Sequence, residues 1–266
     1  MTPTIERSFV SLPRGRVHLA QCGAGQPILL LHQTPRSWDE YRDVLPLLGR
    51  KYRAIAMDTM GFGDSDPLPF GADSIEAWAT VAHELLAKLG CTSAVVVGHH
   101  TGSATAVEMA AMHPERVEAL VVSACPLVDA ARRATEHSRR IIDEVTAHDD
   151  GRHLPELWAR RQPFYPRDRR DLLERFIVDA LKAGPRAAEG HRVVGRYVME
   201  TRLPLVRCPT LVIAPTADPH AYPHQPKVAA AIAGAELVEI EGGLVPLPDQ
   251  MPDAFAAAID RFLSHV

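Results

Sequence analysis

The chain reads as an α/β protein: a mostly parallel sheet of the eight-stranded type, with flanking helices and an inserted helical cap. Three observations predict this. Short β-rich runs alternate with helical patterns along most of the 266 residues. The runs ILLLH, AVVVGH and ALVVSA are apolar throughout, as strands buried on both faces must be. One long segment, 127–203, breaks the alternation and reads as helical, where an insertion between two strands would fall.

Strands are expected at 16–22, 27–32, 52–58, 94–99, 117–124, 210–216 and 235–240, with an earlier one around 8–12. Helical apolar spacing predicts helices at 38–48, 75–89, 103–112, 227–233 and 252–263. The expected organisation is a core of 1–126 and 204–266 interrupted by a cap of 127–203. The cap is rich in arginine (Arg132, Arg133, Arg139, Arg140, Arg160, Arg161, Arg169, Arg170). Most of these charges read as a solvated helix face, with an anion-attracting cavity as the minority reading.

Composition narrows the function classes. About half of the residues are apolar and a quarter charged, as in ordinary soluble proteins. The net charge is −4 and there is no lysine run, so nucleic acid is not an expected partner. No apolar run reaches membrane-spanning length, and the start MTPTIERSFVSL does not resemble a secretory signal. The cysteines Cys22, Cys91, Cys125 and Cys208 are scattered and form no CxxC pair. Free thiols and a cytoplasmic location are the default expectation.

The segment VVVGHHTGSATAVEMAAMHPERV resembles the nucleophile elbow of the α/β-hydrolase family, a G-x-nucleophile-x-G turn between a strand and a helix. Here the turn reads Gly98, His99, His100, Thr101, Gly102. Four further segments fit in order. LLLHQTP resembles the family's His-Gly-x-Pro turn, and DTMGFGDSD the loop after the fourth strand. LVIAPTADPHAYP resembles the strand and turn carrying the acid, and EIEGGLVPLPDQMPDAFAAAIDRFL the terminal segment that carries Gly-His. The resemblance covers nearly the whole chain outside the cap. It is specific for the fold and far less so for the reaction.

The resemblance also shows where this chain departs. The nucleophile position holds His100, and the position of the family's histidine holds Leu244. The acid is retained as Asp218. A triad needs nucleophile, base and orienting acid, so conventional serine hydrolysis is not expected. Histidine tolerates the positive φ of an elbow better than β-branched residues do, and Gly98 and Gly102 keep the turn tight. A titratable group kept at the apex favours a chemical role for His100 over that of a passive filler. The resemblance implies an oxyanion hole from the backbone amides of Thr34 and Thr101, although Gln33 stands where the family has glycine. In the family the histidine at the position of His32 braces this turn.

Further candidates for the pocket are Gln33, Trp38, His99, Cys125, His220 and Leu244. For His99 and Cys125 a buried, structural role is the simpler reading, and for Trp38 core packing is an equal alternative. His32, His99, His100, His220 and Asp218 include metal-ligand types. They lack HxxxH or HxH spacing, and the adjacent His99 and His100 should point apart, so no metal is expected. The leading expectation is a cofactor-free enzyme acting on a small organic molecule, with His100 as general base and nucleophile as the lesser alternative. Hydrolysis by activated water, lyase chemistry and isomerisation all remain open. The alternative is a non-catalytic binding protein using the capped pocket. The sequence leaves open whether the chain forms a homodimer.

Overall fold

The computed structural model describes residues 3–135 and 141–266, so Arg139 and Arg140 lie outside the described residues. Eight strands form one sheet: β1 (Glu6–Leu12), β2 (Gly15–Cys22), β3 (Pro27–Leu31), β4 (Arg53–Met57), β5 (Ala94–His99), β6 (Val117–Ser123), β7 (Thr210–Pro215) and β8 (Glu236–Ile240). Their order is β1-β2-β4-β3-β5-β6-β7-β8. β2 runs antiparallel to both its neighbours, and every other pairing is parallel.

The apolar runs are explained by burial on both faces. Side chains alternate across a strand. Leu29, Leu31, Ile55, Met57 and Val96 therefore enter one core layer, while Ile28, Leu30, Ala54, Ala56, Val95 and Val97 enter the other. The first layer is closed by α2 (Ile75–Lys88) and α3 (Thr101–Met112). The second is closed by the one-turn helix α1 (Leu45–Leu48) and by α10 (Pro252–Leu263). Each fully buried aliphatic side chain contributes roughly 1.5–3 kcal/mol, so these two layers supply most of the driving force for folding.

The continuous helix expected at 38–48 is not formed. Residues Trp38–Tyr41 make a 3-10 turn capped by Ser37, whose hydroxyl accepts from the Asp39 amide, and α1 begins only at Leu45. Pro46 is the reason: it has no N–H to donate, and its ring would collide with the preceding turn.

Between β6 and β7 lie α4 (Ala130–Thr135), α5 (His153–Arg161), α6 (Arg170–Ala183) and α7 (Arg186–Arg196). α5 and α6 carry a small core of their own, with Leu157, Leu172, Leu173 and Phe176 at its centre. α8 (Gln225–Ala230) and the one-turn α9 (Leu247–Gln250) complete the chain. The inserted helices are tied to the core through Arg36, whose side chain is wholly buried. Its Nε is 3.0 Å from Asp179 on α6, and its Nη1 is 2.7 Å from Asp249 on α9. A second tie is steric. A Cβ on Gly190 of α7 would lie 2.3 Å from Cγ2 of Thr34, so only glycine lets α7 approach the turn after β3.

Candidate active site

β5 ends in a sharp turn into α3, and His100 stands at its apex with φ 46° and ψ −114°. The turn closes because its flanking glycines touch backbone. A Cβ on Gly98 would lie 2.2 Å from the Gly102 carbonyl oxygen, and one on Gly102 would lie 1.9 Å from that of Leu31. The side chain of His100 is thereby held at the C-terminal edge of the sheet, 16% exposed, on the wall of a cavity of about 450 Å³.

Asp218 comes from the loop after β7. Its Oδ1 accepts the amides of His220 (2.8 Å) and Ala221 (3.1 Å). Its Oδ2 is 2.7 Å from His100 Nε2, a charge contact off the ideal hydrogen-bond direction. Burial by itself raises the carboxyl pKa. The charge and contact of His100 and the two amides outweigh that and hold Asp218 at about 2. A lone pair on Nε2 facing this carboxylate would be repelled, so Nε2 carries the proton. Nδ1 is then the basic nitrogen of His100, and no hydrogen bond or ion pair engages it among the described residues.

His99 points elsewhere. Its side chain is fully buried, with Nε2 2.8 Å from the Val245 carbonyl and Nδ1 3.0 Å from the Ser123 hydroxyl. A carbonyl only accepts, so Nε2 holds the proton and Nδ1 accepts from Ser123. Burial first, and the neighbouring His100 second, push its pKa down to about 3 against the pull of the Val245 carbonyl. His99 is a neutral strut between β5 and the loop 241–246, outside the cavity wall.

The turn after β3 is braced from both sides. His32 Nδ1 donates to the Gln33 carbonyl at 2.8 Å, while its Nε2 accepts the Thr59 amide at 2.9 Å. The bulk of Gln33 is absorbed by the buried Glu40, which takes both the Gln33 amide (2.8 Å) and its side-chain Nε2 (2.6 Å). Gln33 and Thr34 line the cavity, as does Thr101. The backbone N–H groups of Thr34 and Thr101 donate to no atom among the described residues.

Several expected pocket residues stand apart from it. Trp38 packs on the far side of the turn, beside His18 and under the guanidinium of Arg7, because Asp58 draws its amide away at 2.6 Å. Cys125 is fully buried, clasped at its amide and carbonyl by Gln225, and its neighbour Pro126 takes the wall position. Burial pushes its thiol up to about 12, so it is no nucleophile. Leu244 is likewise off the wall; its amide is held by Gln250, and Val245 faces the cavity instead. His220 does line the cavity, with its ring 4.5 Å from that of Phe164.

The segment between β6 and β7 supplies what sequence reasoning missed. Arg161 lines the cavity with a side chain only 4% exposed. Its Nε (2.6 Å) and Nη2 grip the two oxygens of Asp143, and its guanidinium lies 4.5 Å from the Phe176 ring centre. His191 Nε2 donates to the same Asp143 at 2.7 Å. The only hint in the sequence was the arginine richness of the segment. Asp143, Arg161 and His191 are far apart along the chain.

A separate group, His18, Asp58 and Asp64, has donor atoms within 4.8 Å of one another. Arg7 reaches both His18 and Asp64, Lys182 reaches Asp64, and Asp58 accepts the amides of Trp38 and Asp64. Protein cations and amides already occupy the positions a metal ion would take.

The alpha/beta hydrolase fold family model matches residues 26–243, most of the chain. The chain belongs to the α/β-hydrolase family. Haloalkane dehalogenase 2 of Mycobacterium tuberculosis is 28% identical over 97% of this chain and 95% of its own. A soluble epoxide hydrolase from a Corynebacterium is 37% identical over 107 residues, 40% of this α/β-hydrolase chain and 37% of that enzyme. A rat bifunctional epoxide hydrolase is 34% identical over 131 residues, 23% of its length. The match thus spans well under half of these epoxide hydrolases. Among solved structures, an esterase from Thermogutta terrifontis superposes with a TM-score of 0.81 at 25% identity, covering 98% of both chains. A hydrolase from Pseudomonas aeruginosa superposes with a TM-score of 0.82 at 24% identity, covering 97% of this chain and 98% of its own. Among the described residues no helix is long and apolar enough to cross a membrane.

Proposed function

We propose that this α/β-hydrolase is a cofactor-independent enzyme acting on a small organic molecule, with a His100–Asp218 dyad in place of a serine triad. The observation that carries the reading is the direct approach of Asp218 Oδ2 to His100 Nε2 at 2.7 Å. An acid that orients a neutral imidazole and stabilises its charged form is what a general base requires. Asp218 stabilises the imidazolium once Nδ1 has taken a proton. That proton comes from a water molecule in hydrolysis, or from a carbon or hydroxyl of the substrate in lyase or isomerase chemistry.

Negative charge developing on the substrate would be met by the amides of Thr34 and Thr101, which have no competing acceptor among the described residues. Each such donor is worth about 3 kcal/mol to an oxyanion. Hydrolysis by activated water is favoured by the relatives, whose names are epoxide hydrolase and haloalkane dehalogenase. The turn apex offers no serine, cysteine or aspartate, and Ser103 is turned away, donating to the carbonyls of Gly98 and Ser123.

The test is untargeted turnover. A metabolite extract is incubated with the protein, with His100→Ala and with Asp218→Asn, and followed by mass spectrometry. The proposal expects at least one small molecule consumed by the unmodified protein and spared by His100→Ala. Equal consumption by both would remove His100 from the chemistry. A molecule retained by the unmodified protein without being consumed would make it a binding protein.

A further inference from the structure

Among the described residues, the titratable groups on the cavity wall are His100, Arg132, Arg160, Arg161, His191 and His220, with no carboxylate among them. Arg161 is the buried member of this set. Asp143 fixes its fork from behind through Nε and Nη2, and Phe176 lies against the guanidinium. That leaves Nη1, whose two N–H donors have no acceptor among the described residues. Nη1 is not among the fully enclosed orphan atoms, so its donors open toward the cavity, where a ligand oxygen can take them. The rest of the wall includes Pro126, Ile141, Ile142, Phe164, Val194 and Val245, which suit an apolar body.

The geometry points to a carboxylate-bearing substrate, anchored by Arg161 Nη1, with an apolar body that carries the reacting group to His100. This deepens the functional reading above and rests on it for the role of His100. A planar guanidinium already held on one side presents its remaining N–H groups in a fixed direction, so little entropy is lost when a carboxylate binds. Asp143 keeps the anchor rigid and offsets part of its charge, but it grips the Nε–Nη2 edge and leaves the Nη1 donors free to hydrogen-bond a ligand. His191 shares that carboxylate, so Asp143 is divided between two donors.

The test uses matched pairs that differ only in charge: hexanoate with hexanamide, and phenylacetate with phenylacetamide. Binding to the full chain is measured by calorimetry. The carboxylates should bind at least tenfold more tightly than their amides, and the preference should shrink as salt rises. Because Arg161→Gln alone would strand Asp143, the variant is the double change Arg161→Gln with Asp143→Asn, checked for folding by circular dichroism. It should bind acid and amide alike. Arg161→Lys, which keeps the charge and loses the fork, should retain part of the preference. His100→Ala should keep the full preference for carboxylates, which separates failure of the anchor from failure of the base. Equal binding of acid and amide by the unmodified protein, binding of neither, or an unchanged preference in a folded double variant would overturn the proposal.

Discussion

Nε2 of His100 stands 2.7 Å from Oδ2 of Asp218, with no third side chain relaying between them. In a Ser-His-Asp arrangement the acid orients a histidine, and that histidine serves the nucleophile. Here the histidine is itself at the elbow, so acid and elbow residue meet directly. The amides of His220 and Ala221 hold the other carboxylate oxygen and fix its direction.

That contact fixes a tautomer. Nitrogen-detected NMR should show the proton of the His100 imidazole on Nε2, and Asp218→Asn should mix the two tautomers. On any substrate found, His100→Ala should lower kcat by roughly 10²–10⁴, the range for a positioned base. Asp218→Asn should cost kcat more than KM, because orientation of the base matters most in the transition state. A single unchanged tautomer in Asp218→Asn would show that the carboxylate does not set it.

Asp218 also predicts an acid limit to stability. Its pKa is held at about 2 when folded, against the ordinary 3.8. A carboxylate with a depressed folded pKa contributes stability that is complete above its unfolded value and lost as pH falls toward the folded value. The contribution is on the order of 2 kcal/mol and should fade between about pH 4 and pH 2. Urea unfolding at pH 6 and at pH 3 measures it. The unmodified protein should lose more stability than Asp218→Asn across that interval.

Fluorophosphonate probes should leave the elbow unlabelled. Ser103, the nearest serine in the chain, is fully buried, and its hydroxyl donates at 2.8 Å to Gly98 and at 2.9 Å to Ser123. Peptide mapping after probe treatment checks this. Modification of Ser103 at an esterase-like rate would mean that the turn opens in solution.

The two close-approach glycines should respond differently. Gly102→Ala drives a Cβ to 1.9 Å from a backbone carbonyl that cannot move without distorting β3, so loss of several kcal/mol or failure to fold is expected. Gly190→Ala meets side-chain atoms of Thr34, at 2.3 Å and 2.7 Å. It should lower Tm by a few degrees, and adding Thr34→Ala should restore part of the loss. Additive effects would show that α7 and the turn after β3 are not in contact.

The fold was legible in the sequence because its signals are local or periodic. The runs at β3, β5 and β6 are apolar on both faces, and the pattern Gly98, His100, Gly102 needs only neighbouring residues to be recognised as a tight turn. The bracing role of His32 was implied by the family resemblance alone; its partner Thr59 lies 27 residues away. The break at Pro46 was a local signal too, but the helical spacing of 38–48 masked it.

The placing of Trp38, Cys125 and Leu244 was not readable, because it depends on partners from distant parts of the chain. Asp58 takes the Trp38 amide, Gln225 clasps Cys125, and Gln250 holds Leu244 so that Val245 takes the wall. The Asp143–Arg161–His191 cluster is hidden in the same way, since arginines on a helix look alike until packing buries one of them.

By itself the sequence determined the parallel sheet, while its resemblance to the α/β-hydrolase family implied the elbow with His100 at its tip and the acid at Asp218. The sheet follows from hydrophobic periodicity, and the motifs that carry the resemblance are likewise local, each a run of a few residues. Only the tertiary structure decided that Asp218 reaches His100 directly, that Nδ1 has no partner among the described residues, and that Arg132, Arg160 and Arg161 line the cavity with Arg161 buried. Those depend on distances between segments brought together by burial, and charge interactions change strongly within a few ångströms when water is excluded.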